Sequence, residues 1–562
     1  RAFCESSSNP IISIHDHGAG GHLNCLSELV EDSGGVINLT ALPVGDPTLS
    51  AKEIIGNESQ ERMGLVIQNE DIPLMEEICK RERAPMYVVG NVTGNHQFTF
   101  EGNGENPIDL QLNDMFGNPP KTILEDKTSK ADFDDVKFEI QKIDEYLEAV
   151  LQLESVACKD WLTNKVDRSV TGKVAKQQCA GELQLPLNNL GAVALDFTGE
   201  SGIATAIGHA PIPSLIDPIS GSKLAISEAL TNIVFAPFKD NLKSISLSAN
   251  WMWPAKNSGE NARLYNAVES ISDFACDLGI NIPTGKDSLS MVQKYPNKEK
   301  VYSPGTVVIS ASGEIQDIKK IIEPVVEVNS NTQLLYIDFS KDGFELGGSS
   351  LGQVLNRVGK KTPTVKDNAY FAKVFNAVQE LIKNDEIISG HDISEGGLIT
   401  TLLEMNFANC NGGMNIDLNH LSEENPIKLL FSERPSIVIQ VSNGKDIIGK
   451  LANQGIDAIN IGSPSIERKL NIISREWKKS FDINEYRKFW YKTSYLLDRE
   501  QSSPKLAKER FDNFANNPIV YNFPKGFNGT LSHYDITHFK KNLSGVKAAI
   551  IREKGVNGDR EM

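Results

Sequence analysis

The stretch "IHDHGAGGHLNCLSELVEDSGG" (Ile14 to Gly35) is followed 376 positions later by "GHDISEGGLITTLLEMNFANCNGG" (Gly390 to Gly413). Each copy opens around His-Asp, reaches a glycine pair after three intervening residues, enters an apolar-periodic run and closes on Gly-Gly. The likeness continues downstream, where "GGVINLTAL" answers "GGMNIDLNHL" as a strand-like run. Further on, "GNESQERMGLVIQ" (Gly56 to Gln68) is echoed by "LFSERPSIVIQV" (Leu430 to Val441), each with Ser and then Glu-Arg at the mouth of a Val/Ile strand. Three landmarks in one order imply two copies of one domain. At 562 residues the chain is too long for one hydrophobic core, so two to four domains are expected.

Between the copies the sequence is of another kind. Residues 121–148 are charged and helix-prone and read as a linker or packing helix. In 149–318 the strands "GAVALDF", "SISLSANW" and "GTVVISASGEI" alternate with the helices "SKLAISEALTNIVFAPF" and "ENARLYNAVESISDFACDLG". Such alternation implies helices covering a sheet, an α/β layer. The first repeat occupies 1–120 and the second 319–497. A polar tail, 498–545, then leads to "VKAAIIREKGVNGDREM" at 546–562, one buried-type strand and the start of a helix. Arg1-Ala2-Phe3 reads as the interior of a longer chain, so truncation at both ends is expected.

The composition, 40% hydrophobic and 23% charged, is that of a globular chain without an apolar run able to cross a bilayer. A net charge of −17 argues against a nucleic-acid partner, which requires clustered Lys and Arg, yet allows small phosphorylated ligands. Seven cysteines (Cys4, Cys25, Cys79, Cys158, Cys179, Cys276, Cys410) are scattered without a CxxC pair. They read as free thiols in a reducing compartment, with the cytosol the expected address.

Asp16 and Asp392 each follow an apolar strand-like segment and precede glycines that open a helix. Glycine lets backbone N–H groups approach an anion, and an Asp beside such a loop can hold a hard cation bridging phosphate oxygens. A plain helix N-cap is the competing reading. "SEALTN" puts Glu228 and Asn232 on one helix face as oxygen ligands, against the alternative of a solvated face. "PTGKDSLSM" offers Gly285, Lys286, Asp287 and Ser288 to a phosphate, as Gly-rich loops do, although the P-loop frame is missing; a simple turn is the alternative. Glu58, Ser59 and Gln60 form a polar run at a strand mouth, suited to an amide or sugar hydroxyl or to a capped turn.

Together "HDHGAGG", "VGDPTLSAKEIIGNESQERM", "WLTNKVDRSVTGKVAKQQCAG", "SEALTN", "NWMW", "GKDSLSM", "GHDISEGGL" and "REKGVNGDREM" resemble the phosphoribosylformylglycinamidine synthase family in its large single-chain form, in family order over nearly the whole chain. The resemblance implies an α/β fold of α+β layers. That fold is the duplicated core of the aminoimidazole ribonucleotide synthetase-like superfamily, arranged here as companion domain, ATP-binding half-domain and companion domain. Residues 546–562 would be the first strand of a glutaminase. No catalytic residue is expected in this stretch, since the family's Gly-rich ATP loop, catalytic His and glutaminase triad lie elsewhere.

The resemblance further implies formylglycinamide ribonucleotide, ATP and glutamine-derived ammonia as reactants, with Mg²⁺ as cofactor and ADP at an auxiliary site. No nucleic acid or membrane is involved. Lys159, Asn188 and Ser394 would contact the nucleotide; Glu228, Asn232 and Asp392 would serve its metal. Asn189 stands where the family usually has an Asp ligand, so weaker metal binding is expected. Asp16 would bind metal and Glu58, Ser59 and Gln60 substrate in the first copy, while Lys286 and Ser288 would face phosphate. Two rival readings stand beside this one: a related ATP-dependent synthetase of the same fold, and a catalytically silent, nucleotide-locked scaffold.

Overall fold

The computed structural model describes residues 9–530, except 59–60, 118–119, 122, 129–131, 164, 167, 169–171 and 198, together with 549 and 551. The chain divides into two compact units between residues 123 and 124.

In the first unit the repeat begins with strand Ile11–Asp16, which runs antiparallel to Met63–Ile67 and places Asp16 opposite Met63. Helix Gly21–Leu29 packs Cys25 and Leu26 into a small core with Phe98 and Phe100. A four-stranded sheet adjoins it, in the order Gly90–Val92, Gly35–Asn38, Gln97–Gly102, Glu105–Gln111.

The second unit holds two large sheets and, among the described residues, two small two-stranded ones. The six-stranded one runs Asn281–Ser288, Ile245–Met252, Thr306–Ile315, Gly202–His209, Gly191–Ala194, Val174–Lys176. Its strand Gly202–His209 alternates buried with exposed side chains, as a sheet covered on one face requires. Helices Pro218–Ile233 and Glu260–Leu278 contribute Ala225, Ala229, Leu230, Ile271 and Phe274 to that covered side. The seven-stranded sheet runs Ser389–Ile393, Ser436–Val441, Gln333–Asp338, Ala458–Ser465, Gly413–Asp417, Lys469–Ser474, Trp477–Asp482. Here the second repeat reappears: Ser389–Ile393 is antiparallel to Ser436–Val441, with Asp392 opposite Ile437.

One hydrophobic core joins the two layers of this unit. Phe371 and Phe375 of helix Asn368–Lys383 meet Phe274 and Phe238 of the half that precedes them. Gln379, fully buried, accepts from Phe238 N–H at 2.8 Å and donates to Val234 O at 2.6 Å, so neither amide end is wasted.

Three local expectations differ from what is seen. Residues 132–139 carry no helix, and the first sustained turn is Ile143–Leu151. Asp132, Asp134 and Asp135 are poor helix formers that repel one another. Gly285–Ser288 is no loop but the end of edge strand Asn281–Ser288, parallel to Ile245–Met252. The segment beyond 498 is not a bare tail: helix Ile483–Gln501 runs through it, and helix Pro504–Asn513 follows, with Phe514 stacked on Tyr491 at 4.0 Å. Residues 546–562 lie outside the described residues apart from 549 and 551. Among the described residues no helix is long and apolar enough to cross a membrane.

Candidate functional site

Helix Pro218–Ile233 starts cleanly, because the Asp217 carboxylate accepts from Ile219 and Ser220 N–H and proline occupies the first turn. While its apolar side enters the core, Glu228 faces a cleft of about 470 Å³. Opposite stand Gly347–Ser350, Thr362 and Pro363, the run Ile393–Glu395, and Glu433; a strap through Leu153–Ser155 closes one side.

The glycine pair shapes the turn into this cleft. Gly397 has φ +70°, and a Cβ there would lie 2.6 Å from Leu430 O. Gly21, its counterpart in the first unit, has φ +61°, and its Cβ would lie 2.4 Å from Asn57 O. Both copies therefore need glycine for conformation and for close approach.

The cleft is strongly acidic. Burial, then the charge of Glu395, raises Glu228 well above the usual carboxylate range, with Asp392 and Glu433 adding to it. His209 N–H donates to Glu228 Oε2 at 2.7 Å and opposes that rise. Glu395 is likewise raised, by burial first, with the His209 and Lys159 charges pulling it back. Glu433 accepts from Ser350 and Gly396 N–H, each at 2.7 Å, yet burial still pushes it up to about 7.

Several polar atoms here lack partners. Asp392 is 2% exposed; its Oδ1 takes the His391 Nδ1–H at 3.0 Å, and its Oδ2 is buried and unpaired. Asn189 donates to Gly390 O at 3.4 Å, while its Oδ1 is buried and unpaired. Thr362 Oγ1 and His209 Nδ1, in residues lining the cleft, are unpaired too. Each such orphan costs about 1–3 kcal/mol unless a ligand satisfies it.

Among the thirteen residues singled out from sequence, Glu228 and Ser394 line the cleft. Asp392 and Asn189 stand beside it, linked through Gly390 and through the field that Asp392 exerts on Glu228. Lys159 lies behind the strap, its Nζ donating to Ser155 O at 3.2 Å and Ala157 O at 2.5 Å, and burial lowers its pKa. Asn188 spends its amide on Gln177 O and Cys179 O at 2.6 and 3.0 Å. Asn232, one turn after Glu228, donates to Ile207 O at 3.3 Å. Lys286 and Ser288 pair with each other at 2.7 Å on the exposed strand end and do not line the cleft. Asp16 and Glu58 belong to the first unit and are exposed, and Ser59 and Gln60 lie outside the described residues.

Sequence reasoning missed Glu395, Glu433, His209 and Thr362. Glu433 did leave a signal, since it is the Glu of the echoed Ser-Glu-Arg. Apart from His209 Nδ1 the orphaned atoms are oxygens, a donor set that fits a hard cation. Among the described residues no three His, Cys, Asp or Glu side chains converge as a ready metal cage, so phosphate, water and asparagine oxygens would have to complete the shell.

The description "AIR synthase related protein, C-terminal domain" matches residues 1–103 and 336–471, and "FGAR-AT PurM_N-like domain" matches 158–314. The solved structure of PurLQS from Thermotoga maritima aligns with a TM-score of 0.55 at 15% identity, covering 81% of this chain and 64% of that one. T. maritima PurL complexed with ATP aligns at 0.52 and 16%, with the same coverages. Fold and matches define an AIR synthase-related α/β protein carrying a repeated companion domain. In sequence the chain is 37% identical over 598 residues to the phosphoribosylformylglycinamidine synthase of Dictyostelium discoideum, covering 99% of this chain and 43% of that one. The chain belongs to the phosphoribosylformylglycinamidine synthase family, and spans under half the length of the curated relatives it matches.

Proposed function

We propose that the cleft of the second unit binds a nucleotide through Mg²⁺, and that the chain serves the ATP- and glutamine-dependent conversion of formylglycinamide ribonucleotide to its amidine in cytosolic purine synthesis. The observation that carries the reading is the set of buried, unpaired polar atoms: Thr362 Oγ1 and His209 Nδ1 in a cavity also lined by Glu228, with Asp392 Oδ2 and Asn189 Oδ1 beside it. In this reading 149–318 is the nucleotide-binding half-domain and 319–497 its companion.

An amide oxygen leaves poorly, so ATP converts it to an iminophosphate, ammonia attacks the carbon and phosphate departs. Mg²⁺, when bound, neutralises phosphate oxygens. The chain's own contribution is positioning and exclusion of water. Glu228 presents its oxygens from the cleft lining and Asp392 from beside it, Lys159 brings positive charge behind the strap, and Ser394 offers a hydroxyl in the glycine turn. In the first unit Asp16 has the metal-binding role and Glu58, Ser59 and Gln60 the substrate role. The difference in exposure, 76% for the Asp16 side chain against 2% for Asp392, favours turnover at the first copy and a held nucleotide, ADP, at the second.

Calorimetric melting tests this reading. Mg²⁺–ADP at a hundred times its Kd stabilises the chain by about 2.7 kcal/mol, and Glu228→Ala loses most of that gain. A melting temperature that does not respond to ADP and Mg²⁺ would sink it.

A further inference from the structure

Trp490, on helix Ile483–Gln501, lies outside the cleft lining and is 1% exposed. Its indole N–H sits between Val156 O at 2.9 Å and Glu404 Oε1 at 3.0 Å. Glu404, on helix Gly397–Phe407, places its other oxygen 3.2 Å from His391 Nε2. His391 Nδ1 is 3.0 Å from Asp392 Oδ1, and the series ends on the unpaired Asp392 Oδ2. An indole N–H can only donate and a carboxylate only accept, so Glu404 accepts from both Trp490 and His391, His391 donates from both ring nitrogens, and the series has one free end.

Trp490 thereby ties the segment that follows the strap to the Glu404–His391–Asp392 series beside the cleft. Val156 follows the strap residues Leu153–Ser155 and precedes Lys159, and the same helix also holds this strap through Trp490 O, which accepts from Cys158 N–H at 3.0 Å, and Ser494 Oγ, which accepts from Trp161 N–H at 2.8 Å. The His–Glu contact of the relay recurs in the first unit, whereas the His–Asp carboxylate bond does not, His15 Nδ1 lying 3.7 Å from Asp16 Oδ1 and nearer its backbone carbonyl. There His15 Nε2 stands 2.5 Å from Glu28 Oε2 and His15 Nδ1 2.9 Å from Asp16 O, with His, Asp and Glu all 376 positions from their counterparts. A helix face does not bring a Glu under a strand His twice by apolar packing alone.

We propose that Glu404 and Trp490 are positioning residues for Asp392: the relay fixes Oδ1 so that Oδ2 alone is presented to a metal–nucleotide ligand, and helix Ile483–Gln501 holds that series and the Lys159 strap in register. This rests on the nucleotide reading of the cleft. A ligating carboxylate held on one oxygen by an outer partner binds through the other, and loss of such partners weakens metal affinity.

The test is Mn²⁺ titration by electron paramagnetic resonance, with ADP present, on the whole chain. Glu404→Gln and Trp490→Phe are each expected to raise the Mn²⁺ Kd on the order of tenfold. Tyr486→Phe removes a bond to Asp144 from the same helix without touching the relay, and is expected to lower the melting temperature while leaving the Kd unchanged. Should Glu404→Gln not fold, Trp490→Phe decides, since it keeps a ring beside Phe407. Unaltered Mn²⁺ affinity in the relay variants overturns the assignment alone, as does an equal loss in Tyr486→Phe. No Mn²⁺ binding by the unaltered chain overturns both the assignment and the nucleotide reading.

Discussion

At the scale of single residues, His391 carries charge where burial by itself would remove it. Burial lowers its pKa, but hydrogen bonds to Asp392 and Glu404 outweigh that and hold it up to about 9, from an ordinary 6.5. A histidine raised in the folded state contributes stability fully present below about pH 6.5 and lost as pH rises through about 9. The ligand-free chain should thus lose on the order of 3 kcal/mol between those limits from this group. Melting temperatures across that range check it, with His391→Asn expected to flatten the slope. The pairing behind this was hidden in sequence. His-Asp adjacency was visible at once, but Glu404 stands thirteen positions on, and only the turn made by Gly396 and Gly397 folds its helix back under the strand. Glu395 and Glu433 were passed over for a related reason: each is one acidic residue in a polar run, and its meaning lies in which wall it faces.

Elements were more legible than contacts. Helix Pro218–Ile233 announces itself by Asp-Pro at its start and apolar periodicity after, and the repeat's strand, glycine pair and helix recur because the same backbone clash recurs. That clash gives a paired prediction. Gly397→Ala should destabilise by about 2 kcal/mol through strained φ and contact with Leu430 O. Gly449→Ala, in the exposed interior of helix Gly444–Ala452 with open space around it, should stabilise by up to about 1 kcal/mol. Urea unfolding of the two variants measures both, and equal effects would remove the steric argument. The strand end at Gly285–Ser288 escaped sequence reasoning because an exposed edge strand needs no alternation of apolar residues, so its polar run mimicked a loop. Helix Pro504–Asn513 escaped because its few aromatic anchors, Phe511 among them, dock on another helix rather than form a stripe of their own.

For the molecule as a whole, the order of repeat, inserted α/β layer and repeat was readable because periodicity and duplication are properties of the string. The merging of layers was not, since it depends on which faces meet. The family resemblance carries a functional expectation at this scale. The chain alone is expected to bind Mg²⁺–ADP and to form no amidine from formylglycinamide ribonucleotide, even with ammonium supplied. Measurable glutamine-independent product would contradict that assignment of roles. Gln379 bears on history as well. Its amide completes backbone groups of a neighbouring layer, and the aromatic residues around it belong to both partners. A crossover between genes that exchanged one layer for a distant version would strand Phe238 N–H and Val234 O in oil, so the pair must descend as a single heritable block, free to drift at its rim but not to be shuffled through its middle.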